Sequence, residues 1–119
     1  MKVLIADDSK IARKGVLKSL ATAFSGEFDY REAANGCEAV EMFTSYSPDL
    51  IFMDLTMPEK SGIEALEEIK AINPAAKVVI ITADIQKKTT EMVSELGADE
   101  ILNKPVTAEK ISQIITKLV

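Results

Sequence analysis

The chain has 119 residues, a net charge of −5 and no histidine, which suits one domain that buries roughly two-thirds of its unfolded surface. Its acidity argues against nucleic acid as a partner, because phosphate binding needs a basic face, and the missing histidine excludes imidazole as base, nucleophile or metal ligand within the chain. The single cysteine, Cys37, cannot close an internal disulfide, the opening "MKVLIADDSK" is too short in apolar residues for a signal peptide, and no apolar run approaches the ~20 residues of a membrane span, so a cytoplasmic protein without membrane insertion is expected.

The first element is the run "KVLIA", an apolar stretch without alternation, as a strand covered on both faces reads. Ser9 then caps a helix whose apolar residues Ile11, Val16, Leu17, Leu20 and Phe24 recur at about three and four. The segment "FSGEFDY" is slightly long, and "FDYREAA" alternates weakly, as an edge strand does. "LIFM" is a second doubly covered strand and ends at Asp54. From Gly62 to Asn73, Ile63, Leu66, Ile69 and Ile72 recur every three residues, and Asn73-Pro74 stops the helix. "KVVIIT" is a third apolar strand. "ADIQKKTTEMVSELG" is a polar helix with a thin apolar stripe, closed by Gly97. "EILN" fills the next strand position, and "TAEKISQIITKLV" is a last helix capped by Thr107. Five β/α units result, with no linker or repeat. Such alternation implies one parallel sheet with helices on both faces, and a single domain over residues 1–119.

The polar interruptions all fall at the carboxyl ends of strands. Asp7 and Asp8 follow the first strand, Asp54 ends the third, Thr82 ends the fourth and Lys104 follows the fifth. In a parallel sheet these ends share one edge, where ligand sites of open α/β sheets form. Three crowded carboxylates need a proton or a cation between them. Oxygen ligands without His or Cys suit a hard ion, and an open, water-rich site suits Mg²⁺. A carboxylate beside Mg²⁺ can act as nucleophile toward a phosphoryl group, with a lysine and a hydroxyl on the transferring oxygens. Taken one at a time, the same residues have plainer readings: Asp7-Asp8 as helix-capping acids, Asp54 as a loop acid, Thr82 as a strand-end cap, Lys104 as a solvated lysine. Their convergence favours the site. Asn103 reads as a surface polar residue and Cys37 as a buried thiol.

The pieces "LIADDS", "DLIFMDLTMPEKSG", "VVIITAD" and "GADEILNKP", in this order and spread over essentially the whole chain, resemble the response-regulator receiver domains of two-component signalling, in layout those of the stand-alone chemotaxis type. The resemblance implies a flavodoxin-like (βα)5 fold with strand order 2-1-3-4-5. It implies that Asp54 accepts a phosphoryl group from the phosphohistidine of a partner histidine kinase. Mg²⁺ would be held by Asp8 directly, by Asp7 through water, by Asp54 and by the backbone carbonyl of Thr56. Lys104, with a cis bond to Pro105, would contact the phosphoryl oxygens, Thr82 would be the switch hydroxyl, and the small Ala83 would sit beside the phosphoryl group. A monomer acting on a downstream protein, such as a flagellar switch, is expected. A phosphoryl sink, or a piece of a larger regulator, are the alternatives.

The chain departs from the family at Ile101, where an aromatic ring usually rotates inward on activation. A shorter, β-branched side chain implies a smaller switch, carried mainly by the loop after Thr82. Thr56 and Asp84 occupy positions that in the family tune dephosphorylation. Two other classes fit less well. A Mg²⁺-dependent phosphohydrolase resembling the DxDxT type would have an acid where Thr56 stands. A flavodoxin-like redox protein would have a hydroxyl-rich phosphate loop where "DDSK" stands.

Overall fold

The computed structural model describes residues 1–24, 26–83 and 86–118. Asp84, one of the two tuning positions named above, lies outside the described residues, as does part of the loop after Thr82. The elements run β1 (Lys2–Ala6), α1 (Lys10–Ala23), β2 (Asp29–Ala33), α2 (Gly36–Tyr46), β3 (Leu50–Asp54), α3 (Gly62–Ile72), β4 (Val78–Thr82), α4 (Lys87–Glu95), β5 (Glu100–Asn103) and α5 (Ala108–Leu118). All neighbouring strands pair in parallel, in the order β2-β1-β3-β4-β5. The fold is therefore the flavodoxin-like arrangement that the sequence implies. No described helix is long and apolar enough to cross a membrane.

Side-chain parity explains why the central strands lack alternation. Val3 and Ile5, Leu50 and Phe52, and Val79 and Ile81 join one core with Val16, Leu20, Ile111 and Ile114, the face covered by α1 and α5. Leu4 and Ala6, Ile51 and Met53, and Val78 and Ile80 join the other with Ala39, Phe43, Leu66, Ile69 and Val93, the face covered by α2, α3 and α4. Both faces are dry, so every residue of β3 and β4 is buried. The two edge strands are the polar ones: β2 is exposed at its first three residues.

Helix phase corrects two expectations. At 100° per residue, Ile11 lies nine residues, hence half a revolution, from Leu20. Leu20 is buried and Ile11 is 85% exposed. A repeat of three in α3 drifts by 60° per step, so Leu66 and Ile69 are buried with Ala65 while Ile72 is exposed. Cys37 is exposed, not buried, because at the start of α2 it is Gly36 that turns toward the body of the protein. The polar helix is shorter than its sequence pattern, starting at Lys87. The caps stand as read: Ser9 Oγ accepts from Ala12 N–H, Thr107 Oγ1 accepts from Lys110 N–H, and Gly97 has φ +102° past the end of α4.

Candidate functional site

The carboxyl ends of β1, β3 and β5 bring Asp7, Asp54 and Lys104 together. Asp7 continues the parity of Val3 and Ile5, Asp54 that of Leu50 and Phe52, and Lys104 that of Leu102, so all three fall on the α1/α5 side of the sheet. The Lys104 ammonium lies 3.3 Å from Asp7 Oδ2 and 3.3 Å from Asp54 Oδ1. The two carboxylates are nearly buried, with side-chain exposures of 8% and 11%, and the lysine is one-third exposed. Asp8 stands at the rim and is exposed. One carboxylate oxygen from each of Asp7, Asp8 and Asp54 lies within 4.8 Å of the others.

Local hydrogen bonds fix this geometry. Asp7 N–H donates to the Ala33 carbonyl at 3.0 Å, and Asp7 Oδ1 accepts the Ser9 N–H at 2.9 Å. Lys104 N–H donates to the Thr82 carbonyl at 2.9 Å, tying the end of β5 to the end of β4, and the Lys104–Pro105 peptide is cis. After Asp54 the chain turns sharply. Gly62 N–H donates to the Leu55 carbonyl at 2.8 Å, and a methyl group on Gly62 would stand 2.1 Å from the Asp54 carbonyl oxygen. From the other side, Gly36 N–H donates to the Lys60 carbonyl at 3.0 Å, and a methyl group there would also stand 2.1 Å from that oxygen. Glycine is required at both places because backbone meets backbone. The loop carrying Thr56 is thus braced between β3 and α2, with Thr56 itself exposed.

The electrostatics are those of an underneutralised acid cluster. Burial pushes the Asp54 carboxyl above the usual carboxylate range, and the charges of Asp7 and Asp8 push the same way against the pull of Lys104. Burial acts against the charge of Lys104, yet Asp54 and Asp7 together hold its ammonium above the ordinary lysine range. One cation thus serves two buried acids, while the third acid faces solvent. The donor set is all oxygen, clustered and partly open to water, which fits a hard divalent ion.

Thr82 and Ile101 lie on the other side of the sheet. Thr82, buried, continues the parity of Val78 and Ile80, and half-buried Ile101 packs against that same core. Thr82 borders a cavity of about 320 Å³ between the loop after Asp54 and α4, shared with Met57, Ile63, Thr89 and Met92. Ala83 follows it, exposed. Sequence spacing does not single out Arg13, whose guanidinium donates to the Asp7 carbonyl, or Glu32, which accepts from Arg13; the only signal is an arginine one turn into a helix that follows two acids.

Comparison with known proteins agrees with this arrangement. The "Response regulator receiver domain" family matches residues 3–116. The chain is 36% identical over 117 residues to the chemotaxis protein CheY of Thermotoga maritima, covering 98% of this chain and 96% of that protein. It is 35% identical over 117 residues to the protein CcdB of Bacillus subtilis, covering 98% and 96%. Among solved structures, a chain of the CheX-CheY-BeF3-Mg²⁺ complex from Borrelia burgdorferi superposes with a TM-score of 0.91 at 27% identity, covering 100% of this chain and 90% of that one. With the expected strand order, an acid cluster at the carboxyl edge of the sheet and a family match over nearly its full length, this chain belongs to the response regulator receiver domain family.

Proposed function

We propose that Asp54 is the phospho-acceptor of this receiver, that Asp7, Asp8, Asp54 and the Thr56 carbonyl hold Mg²⁺, and that a histidine kinase is the phosphoryl donor. The observation that carries the reading is the sharing of one ammonium, Lys104, by two buried carboxylates that a third crowds. Asp54 sits at the rigid end of a buried strand, so its nucleophilic oxygen is presented with little freedom to lose. The Asp54 oxygen bonds to phosphorus as the phosphorus–nitrogen bond of the donor breaks, and the electron pair leaves with the donor's imidazole. Lys104 follows the charge onto the phosphoryl oxygens. Mg²⁺, when bound, neutralises the acids and the incoming phosphoryl group. Thr82 offers a hydroxyl from the β4 end. The receiver, residues 1–119, turns over no external substrate beyond its own phosphorylation and dephosphorylation. It signals to a downstream protein through the surface around α4, β5 and α5, and a chemotaxis target such as a flagellar switch fits the CheY relatives.

A hydrolase of the DxDxT type has no support: Thr56, exposed, stands where its acid would be. The test is incubation with acetyl phosphate and Mg²⁺, followed by mapping of the adduct. An acid-stable, base-labile adduct on Asp54 is expected, absent from Asp54→Asn. Labelling of that variant at the wild-type rate rejects the assignment.

A further inference from the structure

Among the three acids, Asp8 is the least constrained. Asp7 is held at its backbone N–H by Ala33 and at its two carboxylate oxygens by Ser9 and Lys104. Asp54 is held by its strand and by Lys104. Among the described residues, Asp8 accepts no hydrogen bond, and it is exposed. Something other than its own contacts must aim it at the cluster.

The peptide between Asp7 and Asp8 is planar, so the direction of the Asp7 carbonyl fixes the direction of the Asp8 N–H and the seat of the Asp8 Cα. Arg13 grips that carbonyl. Its Nη1 donates to Asp7 O at 2.7 Å, and its Nε donates to Glu32 Oε1 at 3.0 Å. The guanidinium is only 15% exposed, so water screens these bonds little, and its planar fork is suited to holding two acceptors at a fixed angle. Glu32 lies on β2 next to Ala33, whose carbonyl takes the Asp7 N–H. The Asp7 residue is thus clamped on both of its backbone groups from the same edge strand: directly at N–H, and through Arg13 at C=O. Solvation of that carbonyl in place of the guanidinium would leave the peptide plane free to rotate and would swing Asp8 away from Asp7 and Asp54.

We propose that Arg13, anchored by Glu32, is a positioning residue that sets the Asp7–Asp8 peptide and thereby aims the Asp8 carboxylate into the acid cluster. The inference rests on the metal reading of that cluster for its consequence, but not for its geometry. Two measurements separate them. In chelated buffer, NMR reads the Asp8 amide and the Asp8 carboxylate carbon. In the same samples, Mg²⁺ titration gives a dissociation constant, and urea unfolding gives stability. Arg13→Met should shift both Asp8 signals without Mg²⁺ and weaken Mg²⁺ binding by roughly tenfold or more, the scale of losing a group that orients a ligand. Arg13→Lys should restore part of the affinity. Glu32→Gln should move the Asp8 signals in the same direction by less, and it carries the test should Arg13→Met not fold. Asp8 signals at their wild-type positions overturn the proposal, as does a Mg²⁺ constant within twofold of wild type, even when stability falls. A wild-type protein that binds no Mg²⁺ overturns the metal reading instead, and the metal-free Asp8 signals then decide the role of Arg13.

Discussion

Replacing Lys104 with methionine removes the one cation shared by Asp7 and Asp54 while keeping most of the side-chain volume. Each contact is 3.3 Å long, worth ~5 kcal/mol of gross attraction at an effective dielectric constant of 20. The ammonium is one-third exposed, so water screens part of this, and its own desolvation offsets more. The loss also has a ceiling, because the acid pair can take up a proton. Raising one carboxyl from its ordinary value of 3.8 to the assay pH of 7.5 costs ~5 kcal/mol at ~1.4 per pH unit, and Asp54 has already moved part of that way. A loss of about 2 kcal/mol at pH 7.5 without metal is expected, near 8 °C in melting temperature for a domain of this size. The pH dependence carries the argument. A carboxyl whose folded pKa is raised contributes stability that is fully present below its unfolded pKa and is lost as pH rises through the folded one. Removing Lys104 raises Asp54 further, so the deficit of the variant must grow from pH 4.5 to pH 7.5. Urea unfolding followed by circular dichroism, in chelated buffer at both pH values, measures it. A deficit equal at the two pH values within about 0.5 kcal/mol, an allowance for the extrapolation, refutes the view that Lys104 neutralises the acids.

Asp54→Asn should raise metal-free stability by about 1 kcal/mol at pH 7.5, the repulsion it relieves being partly offset by the Lys104 attraction it loses, and the gain should fade as pH drops toward 4; melting curves at both pH values check the sign. Asp8→Ala should weaken Mg²⁺ binding by roughly tenfold or more, measured by titration, and should raise metal-free stability. Gly62→Ala, whose methyl group meets the Asp54 carbonyl oxygen at 2.1 Å, should cost about 3 kcal/mol by urea unfolding. Ile101→Tyr should enlarge the amide shifts in α4 and β5 on adding beryllofluoride and Mg²⁺; shifts no larger than those of the wild type refute the reduced-switch reading.

The strands and the acid cluster were legible because they depend on one-dimensional features: unalternating apolar runs, and polar residues at their ends. Strand ends in a parallel sheet converge by topology, so Asp7, Asp54 and Lys104 could be placed together from spacing alone. Helix faces were less legible. Ile11 and Ile72 have the right residue type but the wrong phase, and type outweighs phase when only a few apolar residues are counted. Cys37 was misplaced because a thiol at a helix start can turn either way, and the bond that turns its neighbour Gly36 inward, to the Lys60 carbonyl, comes from a segment distant in sequence. Arg13 and Glu32 stayed invisible because their role lies in a hydrogen bond to a backbone carbonyl, which leaves no pattern in side-chain types.

The glycine contacts around the loop after Asp54 give the site an unequal compliance. On the α2 side the loop is buttressed by Gly36 against the Lys60 carbonyl, and at its far end by Gly62 against the Asp54 carbonyl, with no room for a methyl group at either contact. On the α4 side it borders about 320 Å³ of open space lined partly by two methionines, Met57 and Met92, whose flexible side chains repack readily. A force applied at the end of β3 therefore meets a stiff wall in one direction and slack in the other. Displacement follows the slack, toward Thr82, α4 and the face that bears Ile101, so the direction in which a phosphoryl event is transmitted is set before any phosphoryl group arrives.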